Sequence, residues 1–156
     1  MTIDDLKTLM DDFDPATLLP DLDKLTADLA PVMRVVVMAG PILLLVMGLI
    51  SLLVPPKEAN HYLGYRTWFG MGSVDAWRFT QRVAGAAWSV MGLVLTLVMS
   101  SRSGKFAGME VMELLWTAGK CVLWEAGLIA VSVLAINLCA AIRFDSRGER
   151  RGAKKQ

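Results

Sequence analysis

The chain has 156 residues, of which 54% are apolar and 20% are charged, and its mean hydropathy is +0.48. The apolar residues form long blocks instead of recurring at helix or strand period, which argues against a soluble globular domain. The net charge of +1 conceals an asymmetry, because residues 1–33 hold eight Asp against two Lys and residues 143–156 hold six Lys/Arg against two acids. That basic tail is too short to indicate a nucleic-acid partner, and membrane topology explains it better.

Residues 1–31 are expected to form an acidic extracytoplasmic tail, within which residues 14–30 hold short helical turns. Because the first residues are acidic instead of basic, they do not resemble a secretory signal, and we expect insertion to rely on the apolar blocks that follow. The first of these is residues 32–54, with the sequence VMRVVVMAGPILLLVMGLISLLV. It is long enough to span a hydrocarbon layer of about 30 Å. Pro41 is expected to kink this helix, and Pro55-Pro56 to end it.

The second predicted span, residues 83–100, contains no charge. Small residues recur along one face of it at helical spacing, and small residues allow two membrane helices to approach closely. This pattern predicts a packing stripe made of Gly85, Ser89, Gly92, Thr96 and Ser100.

The third predicted span, residues 121–142, is interrupted by Glu125. Polar residues upstream recur at helical spacing, so the helix is expected to begin near residue 109, outside the membrane. If the membrane boundary lies early, Glu125 is deep, and a buried acid in hydrocarbon is a functional hypothesis by default. If the boundary lies near Cys121, the carboxylate is one turn deep and reaches the interface. Both alternatives remain open at this point.

The connector between the first two spans, residues 55–82, is longer and richer in aromatic and basic residues than a simple tether requires. Ser73 is placed to cap a short amphipathic helix over residues 74–82. One face of that helix would present Trp77, Thr80, Gln81 and Ala84. Membrane anchoring in the headgroup layer is the simplest explanation for its aromatic and Arg side chains. The sequence thus predicts an all-α membrane protein, with three transmembrane helices and a short amphipathic helix between the first two.

The same connector carries a spaced motif, which consists of Asn60, Gly64, Tyr65, Arg66, Thr67, Trp77, Arg82 and Gly85. This pattern resembles the signature region of the SdpI family, bacterial membrane proteins named for an immunity protein against a secreted, membrane-active peptide toxin. Two positions depart from the family pattern: Trp68 stands where Pro is common, and Gln81 stands where His or Asn is frequent.

The resemblance implies a protein that protects against a membrane-active peptide toxin, by binding it or by occupying its target. It also implies that the membrane-bound protein can hold a transcriptional repressor at its basic face. In that interpretation the motif residues form the binding site, and Arg66 and Arg82 pair with an acid or a lipid phosphate. Two alternatives come from other classes: an accessory or assembly subunit of a larger membrane complex, in contact with a membrane-protein partner or a second copy, and a small proton- or solute-coupled carrier that uses Glu125.

Orientation is predicted from Lys and Arg. With the N-terminus outside, the inner segments 55–82 and 143–156 hold ten of these residues and the outer segments hold six. The positive-inside rule therefore predicts a multi-pass protein of the bacterial inner membrane, with the N-terminus outside and the C-terminus cytoplasmic.

Residues that would support catalysis or cofactor binding do not form a recognisable set. The single histidine, His61, has no base or nucleophile partner in a familiar motif, and metal sites need three or four ligands. Cys121 and Cys139 are separated by about 27 Å along one helix, so they are expected to be free thiols. We therefore expect neither an enzyme nor a bound cofactor or metal.

Overall fold

Three long helices make up most of the molecule. The structure, a computed structural model, describes residues 22–54 and 64–152. Its helices are α1 (Leu22–Leu53), α2 (Val74–Ser103) and α3 (Val111–Arg143), and a short 3-10 helix (Phe106–Gly108) connects the last two. Each long helix is long and apolar enough to cross a membrane, so the predicted all-helical, three-span fold is confirmed for the described residues.

The helices extend beyond the predicted spans because polar turns continue each of them outside its apolar section. α3 begins at Val111, close to the expected start near residue 109. α1 runs through Pro31 and Pro41 and includes residues 22–31, which were predicted to belong to the tail. The acidic residues 1–21, the Pro55-Pro56 stop and residues 153–156 lie outside the described part of the chain.

The predicted short helix between the first two spans is not shown as a separate element. Residues 74–82 are helical, but they form the N-terminal turns of α2. The predicted cap is present, because the Ser73 hydroxyl accepts a hydrogen bond of 3.1 Å from the N–H of Ala76. Residues 74–84 contain no Gly or Pro, so the helix continues directly into the membrane span.

α1 and α2 form the most extensive helix contact, and glycines allow it. A Cβ added at Gly92 would lie 2.5 Å from the Leu45 nitrogen, and one at Gly85 would lie 2.8 Å from the Leu52 nitrogen. A Cβ at Gly48 would collide with the backbone of Ser89. The two backbones are therefore almost in contact, as the packing stripe on α2 predicts. The sequence analysis did not identify Gly48, its counterpart on α1.

Successive long helices run in opposite directions, so the connecting segments lie at two opposite ends of the bundle. Residues 64–73 and residues 144–152 meet where α1 ends and α2 begins, and we call this the loop end. The 3-10 helix lies at the opposite, far end, where Phe106 and Leu114 belong to a buried apolar cluster that includes Val37 of α1. Large apolar side chains along the helices are exposed, for example Leu43, Leu93 and Leu123, as expected for surfaces that face lipid tails.

The close contact between α1 and α2 gives a first prediction. Gly92→Ala places a methyl group against the backbone of Leu45, and we expect a loss of about 1–3 kcal/mol in the free energy of unfolding, measured by denaturation in mixed micelles. Gly127→Ala on α3 is the matched control, since an added Cβ there meets nothing within 4 Å and alanine favours helix. Equal stability of the two variants would contradict the packing described for α1 and α2.

Candidate functional site

The motif residues that the structure describes lie at the loop end, where residues 64–73 form a segment that we call the loop cap. Its attachment depends on Gln81 of α2, which is fully buried. The Tyr65 N–H donates to Oε1 of Gln81 over 3.0 Å, and Nε2 of Gln81 donates to the Tyr65 carbonyl over 2.7 Å. One side-chain amide thus satisfies both backbone groups of Tyr65, which an apolar residue at position 81 would leave unpaired.

The Tyr65 side chain connects the loop cap to α3. Its hydroxyl donates to the Val133 carbonyl over 3.0 Å and accepts from Nδ2 of Asn137 over 3.2 Å. Its ring meets that of Trp88 edge-on, with 4.9 Å between centroids. Burial raises the pKa of the Tyr65 hydroxyl, so it stays protonated and remains a donor at neutral pH. Tyr65 therefore contacts both α2 and α3.

Gly64 and Thr67 shape the backbone on either side of Tyr65. Gly64 has a φ of 105°, a conformation that favours glycine, and a Cβ there would lie 2.9 Å from the Trp77 ring. Gly64 therefore lets the backbone turn tightly ahead of Arg66. Thr67 is buried, and its hydroxyl accepts from the N–H of Gly70 over 2.7 Å, which closes the next turn.

Trp77 does not anchor the protein in the headgroup layer. It is fully buried beneath the loop cap, as are Thr80, Gln81 and Ala84, so the predicted helix face is correct but faces protein instead of lipid. The physical reason is that the loop cap itself covers this face. Anchoring by Trp77 is thus wrong, although Arg78 on the same turn is exposed.

Arg66 and Trp68 point away from the bundle, while Tyr65 and Thr67 point into it. Trp68 is 81% exposed. Arg66 and Trp68 line an open cleft of about 460 Å³, whose other walls are Thr67, Met71, Gly72 and Ser146. We call this the motif cleft. Arg66 and Arg82 are exposed and form no ion pair with any described residue, so their pairing with an acid or lipid phosphate stays a prediction.

The remaining motif positions are distributed differently. Gly85 belongs to the contact between α1 and α2 and does not line the motif cleft. Asn60 and His61 lie outside the described residues.

The segment that follows α3 was not predicted from the sequence as a structured element. Residues 144–152 form what we call the terminal hairpin, in which Phe144 pairs with Arg150 and Oδ1 of Asp145 accepts from the N–H of Arg147 and of Glu149. The Ser73 hydroxyl donates to the Gly148 carbonyl over 2.7 Å, which fastens the hairpin to the start of α2. The signal was available, because Asp145 followed three residues later by Gly148 is typical of a β-turn.

Glu125 lies near the middle of α3, two residues before its central residue, Gly127. It is 4% exposed, and its Oε1 has no hydrogen-bond partner among the described residues. Its Oε2 lies against Gly40 of α1, where an added Cβ would be 2.9 Å away. The long α3 thus favours the deep position of the two that the sequence left open.

Few other described side chains could bind a metal or act as nucleophiles. Within residues 22–54 and 64–152, no group of three or more His, Cys, Asp or Glu side chains is arranged to bind a metal. Cys121 and Cys139 are free thiols, as expected, with Cys121 buried and Cys139 exposed.

The model of the SdpI/YfhL protein family matches residues 57–142, which is more than half of the chain and includes the loop cap, α2 and all but the last residue of α3, whereas α1 lies before the matched range. The chain belongs to the SdpI/YfhL family. The resemblance drawn from the motif is thereby confirmed. No curated protein and no solved structure matches this SdpI/YfhL chain.

The two hydrogen bonds of Gln81 give a second prediction. Gln81→Leu leaves the N–H and carbonyl of Tyr65 unpaired, and we expect a loss of about 1–3 kcal/mol in the free energy of unfolding, with faster amide exchange at Tyr65. Arg82→Gln is the control, because the neighbouring side chain is exposed and holds no described partner. Amide exchange at Tyr65 that is as slow in Gln81→Leu as in the unmodified chain would disprove this attachment.

Proposed function

We propose that this SdpI/YfhL protein confers immunity to a membrane-active peptide toxin. The observation that carries the proposal is the family match over residues 57–142, since that region contains the complete loop cap and the helices to which it is attached. The family is one of membrane immunity proteins, and the three spans agree with such a role.

The motif cleft is the surface we assign to the toxin. Half-buried Tyr65 and buried Thr67 hold the segment in place, which leaves Arg66 and Trp68 fixed in direction and accessible. An Arg fork binds carboxylates, and an exposed Trp ring is suited to the interface where a membrane-active peptide lies. This combination of a charged and an apolar contact fits a peptide better than it fits a small polar solute.

The orientation is part of the same proposal. We place the loop end in the cytoplasm and the acidic N-terminus outside the inner membrane, because the segments at the loop end carry most of the Lys and Arg. The basic loop end would then be available to a membrane-sequestered repressor, which is the second role that the resemblance implies.

Protection of cells is the direct test. Expression of this chain alone should raise survival of a sensitive strain exposed to a membrane-active peptide toxin, and Arg66→Ala should remove most of that protection. Because Arg66 has no described partner, the variant should accumulate and unfold like the unmodified protein. Arg78→Ala is the matched control: it removes an exposed charge on the same end, outside the motif cleft.

Two outcomes would count against immunity. One is that the chain accumulates in the membrane without raising survival. The other is equal protection by Arg66→Ala and the unmodified chain, which would remove the motif cleft from the mechanism. A stable membrane partner found on detergent purification, without protection by the chain alone, would instead favour an accessory or assembly subunit.

A second candidate function, a proton-coupled carrier, is favoured by the position of Glu125. On α1, the charged residues of the described part end at Arg34, and α2 carries none between Arg82 and Arg102. The carboxyl of Glu125 therefore lies in the middle of the bundle with no charged residue of α1 or α2 at its level, and an unpaired ionised carboxylate would be costly there. Such an acid is a standard component of proton pathways.

The carrier function requires that Glu125→Gln stop proton flux. In vesicles that contain the purified protein and a trapped pH-sensitive dye, an imposed potential should drive acidification only if the carboxyl is present. Glu113→Gln is the control, since that acid is exposed in the first turn of α3. A flux equal in Glu125→Gln and the unmodified protein, or no flux above that of empty vesicles, would exclude proton conduction through Glu125.

A further inference from the structure

A second cleft opens at the loop end, and the residues of the terminal hairpin that line it differ from the one that lines the motif cleft. It has a volume of about 550 Å³. Half of its lining is cationic and half is apolar, and it consists of Phe79, Cys139, Ile142, Arg143, Arg150 and Arg151. None of these residues belongs to the family motif identified in the sequence, so we call it the arginine cleft and consider it separately.

The three arginines are brought together by the fold of the terminal hairpin. Arg143 ends α3, and its guanidinium lies 4.9 Å from the centroid of the Phe79 ring. The N–H of Arg151 donates to the Arg143 carbonyl over 3.0 Å, and its Nε donates to the Phe144 carbonyl over 3.2 Å. Arg150 is paired with Phe144 in the short antiparallel bridge. Residues that are seven or eight positions apart therefore present their charges to one space.

The acids of the hairpin offset these charges only in part, because Asp145 lies near Arg151 but near neither Arg143 nor Arg150 closely enough to form an ion pair. Hydrogen bonds from the backbone N–H of Glu149 and of Arg147, together with the nearby charges of Arg147 and Arg151, lower the pKa of the Asp145 carboxyl, which stays ionised and caps the turn. Neither Asp145 nor Glu149 lines the arginine cleft. No described carboxylate forms an ion pair with Arg143, Arg150 or Arg151. The cleft thus carries a local positive charge that an anion would balance.

The opposite wall continues the lipid-facing surface of α3. Ile142 is 66% exposed, and Cys139 is exposed one turn earlier. An anion held by the arginines would therefore have an apolar surface beside it. That arrangement matches a phospholipid, whose phosphate suits guanidinium forks and whose glycerol and acyl chain suit an apolar wall.

We infer that the arginine cleft is a binding site for the phosphate group of an anionic phospholipid. The inference does not rest on the immunity function, since the site is built from residues outside the motif cleft. It predicts selectivity for phosphatidylglycerol over phosphatidylcholine, because the quaternary ammonium of the latter would meet the arginines unfavourably.

The test measures lipid retained by the full chain after purification in detergent, by native mass spectrometry at graded concentrations of each lipid. Arg143→Gln combined with Arg150→Gln should weaken binding of phosphatidylglycerol by about tenfold, since hydrogen bonds to charged groups are among the stronger ones. Neither side chain forms a hydrogen bond within the described residues, so the terminal hairpin should remain folded, as judged by slow exchange of the Gly148 amide.

The matched control is Arg78→Gln combined with Arg147→Gln, which removes the same charge from the same end without touching the cleft lining. An equal loss of lipid in both double variants would overturn the inference, because it would show a diffuse electrostatic effect. Equal retention of phosphatidylglycerol and phosphatidylcholine would also overturn it. Displacement of the lipid by millimolar inorganic phosphate would assign the site to a free anion, and so would reject a lipid site. Selective loss in the Arg143/Arg150 variant, with no displacement by phosphate, is the supporting result.

Discussion

The close approach of α1 and α2 is the constraint on which the rest of the molecule depends. Lipid tails are as apolar as leucine, so membrane helices do not associate by burying apolar surface, and packing must come from close backbone contact. Gly48, Gly85 and Gly92 permit that contact along residues 45–52 of α1 and 85–92 of α2. With α1 and α2 fixed together, the N-terminal turns of α2 form a rigid platform at the loop end, and the loop cap can attach to it.

That platform explains why buried polar residues are tolerated at the loop end. Gln81, Thr80 and Tyr65 are polar and at least partly buried, and each has a partner: Thr80 donates to the Ala76 carbonyl over 2.8 Å, and Tyr65 and Gln81 bind each other. Satisfied polar groups specify one position for the loop cap, whereas an apolar interface of the same area would allow it to slide. The exposed side chains of the loop cap, Arg66 and Trp68, then have defined directions.

Periodicity and residue size were enough to predict the three spans, the small-residue stripe and the Ser73 cap, because lipid solvation leaves long apolar blocks that are easily recognised. Whether a given side chain faces protein or lipid could not be predicted in the same way. Trp77 has the composition of an interfacial anchor, and only the path of the loop cap decides that its ring faces protein. The depth of Glu125 depended likewise on where α3 begins. The terminal hairpin was missed because its basic residues were interpreted only as a topology signal, although the Asp145–Gly148 turn was present in the sequence.

The terminal hairpin links the two clefts of the loop end. Ser146 contributes to the motif cleft, while Arg150 and Arg151 contribute to the arginine cleft, and all three belong to one nine-residue turn that is fastened by Ser73 and Gly148. The backbones of Gly72 and Gly148 lie so close that a Cβ at Gly148 would be 2.5 Å from the Gly72 carbonyl carbon, so the hairpin has little freedom to move independently of the loop cap. A ligand that fixes the hairpin through Arg150 and Arg151 therefore also fixes Ser146, a wall of the motif cleft. By this geometry, lipid in the arginine cleft would preorganise the surface that we assign to the toxin, without contacting it.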